Sequence, residues 1–552
     1  MTPEAGFQLY DTTLRDGAQG ESLTLSVDDK LTIARRLDAL GVGFIEGGWP
    51  GAIPKDTEFY RRAATELELS HATLTAFGST RPAGGSADGD PQLAALLAAG
   101  TEVVTIVAKS HPRHVLTALR TSLAENLEMI ADSVGFLVGQ GRRVFLDAEH
   151  FFDGYLTDPG YAYEVLDVAT ASGAEVVVLC DTNGGMLPPE LYDIVRACAE
   201  QTQARLGIHC HDDGGCAVAN TLAAVDAGAI HAQVTANGYG ERCGNANLFS
   251  VAGNLVLKKK LPVLPAAQLG EMRATAEFIG TIAATGVAAG APFVGGAAFA
   301  HKAGLHTSAL RLDPGLYQHI EPGVVGNTSR TIISEMAGRA SIELKAAQLG
   351  HQVPAGSHAA ERITRRVKAL ESEGCAFAGA DSSFELLLTE ELYGHDYAHP
   401  FELVGWETTT RSLSATSVDT RVSVTLSRGT STTVSEAYAA GPLDALFEAL
   451  TSGVRRLFPH SHPVELVDVT FRHLPGSGNT PARVRALVTC GEPGSNQTWR
   501  SVGVAPHLLG AFVSAVHDAL SYGLLGATGS HQTSTSFTPN AQAATNVMGE
   551  VA

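Results

Sequence analysis

Basic residues are scarce in this chain of 552 residues. Only 38 Lys and Arg stand against 58 Asp and Glu, a formal net charge of −20. Binding a phosphate backbone needs clustered Lys and Arg, so the balance argues against a nucleic-acid partner. The run Lys258-Lys259-Lys260 is too short to reverse this and reads as a solvated turn. Cysteine is sparse too: seven residues, odd in number, with no CxxC pair. That fits neither a disulfide framework nor a structural zinc site and points to a reducing compartment. The N-terminal segment MTPEAGFQLYDTTLRDG has no basic stretch followed by an apolar one, and no apolar run is long enough to span a bilayer. The expectation is a cytoplasmic protein with no membrane partner.

What the chain does have is a globular composition, 44% hydrophobic and 17% charged, and a rhythm. Eight short apolar runs recur in the first half: Phe7–Leu9, Val42–Ile45, Thr73–Phe77, Val103–Val107, Val144–Leu146, Val176–Leu179, Leu206–Ile208 and Ala232–Thr235. Most are too apolar to alternate, as expected of parallel strands buried on both faces. Amphipathic stretches separate them. The clearest, Val27–Leu40, opens on a Ser26/Asp29 capping box and stops at Gly41. Others lie near Leu93–Ala99, Ser122–Val138, Tyr161–Ser172, Pro189–Gln201 and Ala217–Ala227. Eight strand–helix units in about 250 residues have the size and order of a (β/α)8 TIM barrel. An open doubly wound sheet shares the local pattern and is the alternative.

Beyond residue 262 the pattern changes. Helix is expected over Ala266–Ala289 and Ala346–Glu373. Strands are expected at Phe384–Thr389, Val422–Leu426, Thr432–Tyr438, Val464–Arg472 and Ala482–Val488, with helices near Leu443–Leu457 and Leu508–Leu520. The domain reading is a barrel over 1–262, helical linker subdomains over 263–377, a C-terminal α+β domain over 378–526 with an expected β-β-β-α unit repeated twice, and a disordered tail over 527–552.

In a TIM barrel the chemistry sits on loops at the C-terminal strand ends. Here those loops carry Asp11–Gly17, Glu46–Pro50, Asp147–His150, Asp181–Gly185, His209–Asp213 and Asn237–Asn245. In His209-Cys210-His211, strand alternation sends both imidazoles to one side, where they can share a cation with Asp16 and leave positions open for substrate. Taken alone, the His-x-His pair could equally be two hydrogen-bonded core histidines. Arg15 could steady a keto oxygen or enolate, or simply pair with Glu46 or Glu149. Thr182 offers a hydroxyl to a carboxylate, or caps a helix. Cys210 should point away from the metal, and His111, His114 and His150 read as rim or surface histidines.

The segments DTTLRDGAQ from Asp11, DAEHFFDGY from Asp147, LCDTNGGMLP from Leu179, NGYGERCGNANL from Asn237, FAHKAGLHTSAL from Phe299 and VGNTSRTIISEMAGRASI from Val325 resemble the metal-dependent acyl-CoA Claisen condensation family. That family includes isopropylmalate, homocitrate and citramalate synthases, and the closer resemblance is to the bacterial citramalate synthases, over roughly residues 6–526. The resemblance implies a divalent metal (manganese, magnesium, cobalt or zinc) on Asp16, His209, His211 and Asn245. It implies keto-acid contacts from Arg15 and Thr182, and acetyl-CoA deprotonation involving Glu149, His306 and Tyr317, the last two reaching a partner subunit. It further implies a homodimer that condenses acetyl-CoA with pyruvate to (R)-citramalate and CoA on a threonine-independent route to isoleucine. Isopropylmalate synthase, or a synthase for another 2-keto acid, is the alternative. Gly441-Pro442-Leu443-Asp444 resembles the family's effector-domain signature, with isoleucine or leucine as effector; as plain sequence it is a turn with proline starting a helix.

Overall fold

The computed structural model describes residues 6–21, 23–302, 304–353, 358–414, 418–476, 482–495 and 497–527. The chain divides into two compact units. One is Met1–Phe299 with Ile320–Thr328; the other is Ala300–His319 with Ser329–Ala552.

In the first unit eight parallel strands close into a barrel: β1 (Gln8–Asp11), β2 (Phe44–Glu46), β3 (Thr73–Ser79), β4 (Val103–Lys109), β5 (Arg143–Glu149), β6 (Val176–Asp181), β7 (Leu206–Cys210) and β8 (His231–Val234). β1 pairs with both β2 and β8, so no edge remains and the open-sheet alternative falls. The barrel is filled by Tyr10, Phe44, Val103, Phe145, Val176 and Val178, while a larger apolar layer lies between strands and helices. The capping box of helix Val27–Leu40 is present, with Ser26 and Asp29 bonding each other's backbone N–H. Helices Pro54–Glu66 and Leu248–Leu257 complete the ring beside those expected.

In the second unit, β9 (Ala300–His301) pairs with β10 (Arg330–Thr331). Two antiparallel sheets follow, β11 (Glu402–Ser412), β12 (Val418–Arg428) and β13 (Ser431–Ala439), then β14 (Glu465–Leu474), β15 (Arg483–Gly491) and β16 (Thr498–Ala505). Helix Pro442–Leu457 follows the first sheet and Leu508–Ala527 the second, so the β-β-β-α unit occurs twice. Leu508–Leu525 is long and apolar enough to cross a membrane by length and composition. Its residues Ala511, Phe512, Ala515, Val516 and Ala519 instead fill this unit's core.

Two local expectations are corrected. Residues 384–389 are not a strand but the middle of helix Asp381–Tyr393. Every residue from Ser382 to Thr389 is buried, so the segment shows no amphipathic period, and a short apolar run fits either structure. The helix expected over 346–373 is two, Arg339–Gln348 and Ala359–Ser372. Of the tail, Ala527 ends the last helix and the rest lies outside the described residues.

Candidate active site at the barrel rim

The C-terminal ends of the strands surround a cavity of about 730 Å³ lined by Arg15, Asp16, Glu149, Thr182, His209 and His211 among others. Asp16 follows the loop from β1. His209 lies on β7 and His211 just beyond it. Their Nε2 atoms stand 3.2 Å and 3.7 Å from Asp16 Oδ2. Ligand atoms of all three residues fall within 4.8 Å of one another, and all three side chains are buried.

Strand register fixes the histidines. His209 pairs with Gln233 on β8, and its Nδ1 hydrogen-bonds Gln233 Oε1 at 2.8 Å. Gln233 Nε2 in turn donates to Asp147 Oδ1 at 2.8 Å. With Nδ1–H donating to Gln233, Nε2 is the nitrogen left facing Asp16, where a cation bound between them would take its lone pair. The backbone of His211 pairs with Asn245. Asn245 Nδ2 donates to the Tyr239 carbonyl at 3.0 Å, yet its buried Oδ1 has no partner among the described residues. A buried amide oxygen without a donor is costly. Two imidazoles and a carboxylate suit a divalent cation, so Asp16, His209 and His211 fit such an ion. The loop that carries Asn245 is close-packed: a Cβ on Gly240 would lie 2.3 Å from Asn245 Nδ2, and one on Gly244 2.0 Å from the Gly238 carbonyl.

Arg15 is held from behind. Its Nε donates to Glu46 Oε1 at 2.6 Å, and its guanidinium lies over Phe77, 3.9 Å from the ring centroid. Glu46 is fully buried and also accepts from Thr12 (2.6 Å) and Tyr10 (2.5 Å). Arg15 Nη1 sits 3.7 Å from Asp16 Oδ1. Of the two expected pairings, the one with Glu46 forms. Burial disfavours the Arg15 charge, but Glu46 and Asp16 outweigh it and hold the guanidinium protonated. Burial likewise opposes the Asp16 charge; Arg15 and the histidines overcome it, and its carboxyl lies well below the usual range. Burial and His209 push His211 down to about 4, so it is neutral near pH 7. Burial and then Glu46 raise Asp147 to about 7.

The Thr182 hydroxyl accepts from the His150 backbone N–H at 2.8 Å. The next helix begins at Pro188 with Leu187 preceding it, so Thr182 is no helix cap. Glu149 ends β5 in an ion pair with Lys109. His114 stacks on His150 with 3.9 Å between ring centroids, and His111 packs against His114 with its ring tilted by 51°. Cys210 is buried, as its position between the histidines required. His306 and Tyr317 belong to the second unit, where their rings stack at 4.3 Å. Reading the sequence missed Lys109 and Gln233. A glutamine inside a strand buried along its whole length was the available signal for Gln233.

A closed parallel barrel with a His-His-Asp cluster at this rim defines a barrel enzyme with a divalent-metal site, and the comparisons with known proteins agree. The HMGL-like family matches residues 6–279, the homocitrate synthase post-HMGL domain-like family 293–374, and the LeuA allosteric (dimerisation) domain 378–524. The (R)-citramalate synthase of Streptomyces coelicolor is 50% identical, covering 94% of this chain and 97% of that protein. Those of Synechocystis sp. and Geobacter sulfurreducens are 42% and 39% identical, covering 95% and 94% of this chain and 97% of each relative. The chain belongs to the (R)-citramalate synthase family and is an enzyme of that type.

Proposed function

We propose that the chain condenses acetyl-CoA with pyruvate and water to give (R)-citramalate and CoA, with Asp16, His209, His211 and Asn245 holding the divalent metal. The observation that carries this reading is the Asp16–His209–His211 cluster, facing a cavity that also exposes Arg15. A divalent ion there supplies a Lewis acid for the 2-keto group of pyruvate. Arg15, anchored by Glu46, keeps its outer guanidinium nitrogens for the oxygen that becomes negative as the new C–C bond forms. The Thr182 hydroxyl binds the pyruvate carboxylate. Manganese, magnesium, cobalt and zinc all suit this donor set.

The acetyl-CoA methyl must lose a proton before it attacks the keto carbon. We assign this to His306, with Glu149 and Tyr317 assisting, in a homodimer where His306 and Tyr317 serve the partner's barrel. Exposed Leu305, Leu312, Leu316 and Tyr317 around that pair support a subunit contact. Water then cleaves the citramalyl thioester and releases CoA. The working division is a catalytic barrel to residue 262, a linker to 377 that completes the site, and an effector and dimerisation domain to 526. The relatives' biosynthetic activity supports a cytoplasmic enzyme on the route to isoleucine, with isoleucine as effector; a thermal-shift titration with isoleucine and leucine checks this.

The test is a free-thiol assay for CoA release across a panel of 2-keto acids. Pyruvate should give the highest kcat/KM. Preference for 2-ketoisovalerate would make the enzyme an isopropylmalate synthase instead. His306→Ala should abolish turnover; intact turnover would remove His306 from the mechanism.

A further inference from the structure

A second His–carboxylate cluster lies in the other unit. His399 precedes β11, and His517 and Asp518 lie on helix Leu508–Ala527. Their ligand atoms fall within 4.8 Å of one another. The His399 and His517 rings are nearly parallel, 15° apart, with centroids at 5.5 Å. His399 Nδ1 is buried and has no hydrogen-bond partner among the described residues. His517 Nε2 hydrogen-bonds the Phe401 carbonyl at 3.1 Å; as donor there, it leaves its lone pair on Nδ1.

Asp518 accepts from the Ser383 hydroxyl at 2.7 Å and makes no ion pair among the described residues. The site thus presents a carboxylate with no compensating cation. His399 Nδ1, and His517 Nδ1 with Nε2–H donating to Phe401, can each offer a lone pair to a cation. A cavity of about 230 Å³, lined by His399, Asp518, Ser383 and Glu390, gives access and room for water. Glu390 and His395 form an overlapping cluster with His399 and add acidic character on that side.

We propose that His399, His517 and Asp518 bind a divalent transition metal of the zinc class, separate from the ion of the barrel. Two imidazoles, one carboxylate and a water complete a four-coordinate site. Ligand atoms about 2.0–2.2 Å from zinc lie about 3.4 Å apart in a tetrahedron, so small side-chain adjustments close the cluster. The ion would tie the last helix to the start of the first C-terminal sheet.

The test uses the full chain with His209→Ala and His211→Ala, which removes the barrel ligands. Calorimetric titration with Zn2+ should find one site, and Zn2+ should raise Tm. Adding His399→Gln or Asp518→Asn should weaken that binding at least about tenfold and remove the Tm shift. Asp518→Asn is nearly isosteric and keeps the test decisive if His399→Gln fails to fold. No Zn2+ site in the first variant, or binding unchanged by the added substitutions, would overturn the proposal.

Discussion

The barrel rim and the last helix carry the same donor set, two histidines and an aspartate, with opposite electrostatic support. Asp16 has Arg15 beside it, and Arg15 is fixed by the buried Glu46. Its carboxyl stays ionised well below the usual range. Asp518 has only a serine hydroxyl and is pushed up to about 7. A buried carboxylate is thus defined less by its depth than by the cation placed against it. The rim is preorganised around charge before any ligand arrives, as catalysis by electrostatic stabilisation requires. The last helix holds a charge that folding itself disfavours.

The contrast can be broken most strongly at Asp16. Asp16→Asn removes the charged ligand, and kcat/KM for pyruvate should fall at least about 1,000-fold, the several kcal/mol a Lewis acid supplies. Activity within tenfold of the parent would show that the rim carboxylate is dispensable. Arg15→Lys keeps the charge but loses the planar fork that binds Glu46 while facing the cavity. A drop of roughly 100-fold, mainly in kcat, is the predicted kinetic result. Gln233→Leu leaves His209 Nδ1 unpaired, and metal affinity should weaken about 10- to 100-fold by competitive chelator titration. Wild-type affinity would mean that packing alone orients the ring.

The smallest effect is in pH dependence, where the two units should differ in sign. His231 is fully buried, with Nδ1 on Gln8 Oε1 at 3.0 Å, and burial lowers it to about 3. The unfolded chain binds that proton near pH 6.5 and the folded chain does not, so the barrel loses stability as pH falls from about 6.5 towards 3. Asp518 is raised, so the folded chain holds a proton the unfolded chain releases near pH 4. Its contribution is lost as pH rises from about 4 to 7. His231→Gln should flatten the acid side of a Tm–pH profile, and Asp518→Asn the segment between pH 4 and 7. The same profile in both variants would remove the distinction.

These features differed in how far they could be read from the chain. The barrel strands were legible because double burial writes β-branched apolar runs, and Asp16, His209 and His211 because rim loops concentrate polar residues. Asn245 needed the likeness to known enzymes; only its unpaired Oδ1 gives a physical reason for it. β11 went unread because Glu402–Ser412 is largely exposed and polar, leaving no apolar alternation to detect. Helix Asp381–Tyr393 was misread for the opposite reason, since burial on all sides erased its period. The cluster at His399 was invisible because its partners lie more than a hundred residues further along the chain.

Metal-dependent turnover at the rim is the most direct test of the barrel site. The enzyme is stripped with chelator, and pyruvate-dependent CoA release is followed as Mn2+, Mg2+, Co2+ or Zn2+ is returned, in the parent and in His209→Ala. The parent should lose activity on stripping and regain it with at least one of these ions, while His209→Ala should regain none. Full activity in the stripped parent, or equal recovery in His209→Ala, would contradict the assignment of Asp16, His209 and His211 as the metal site.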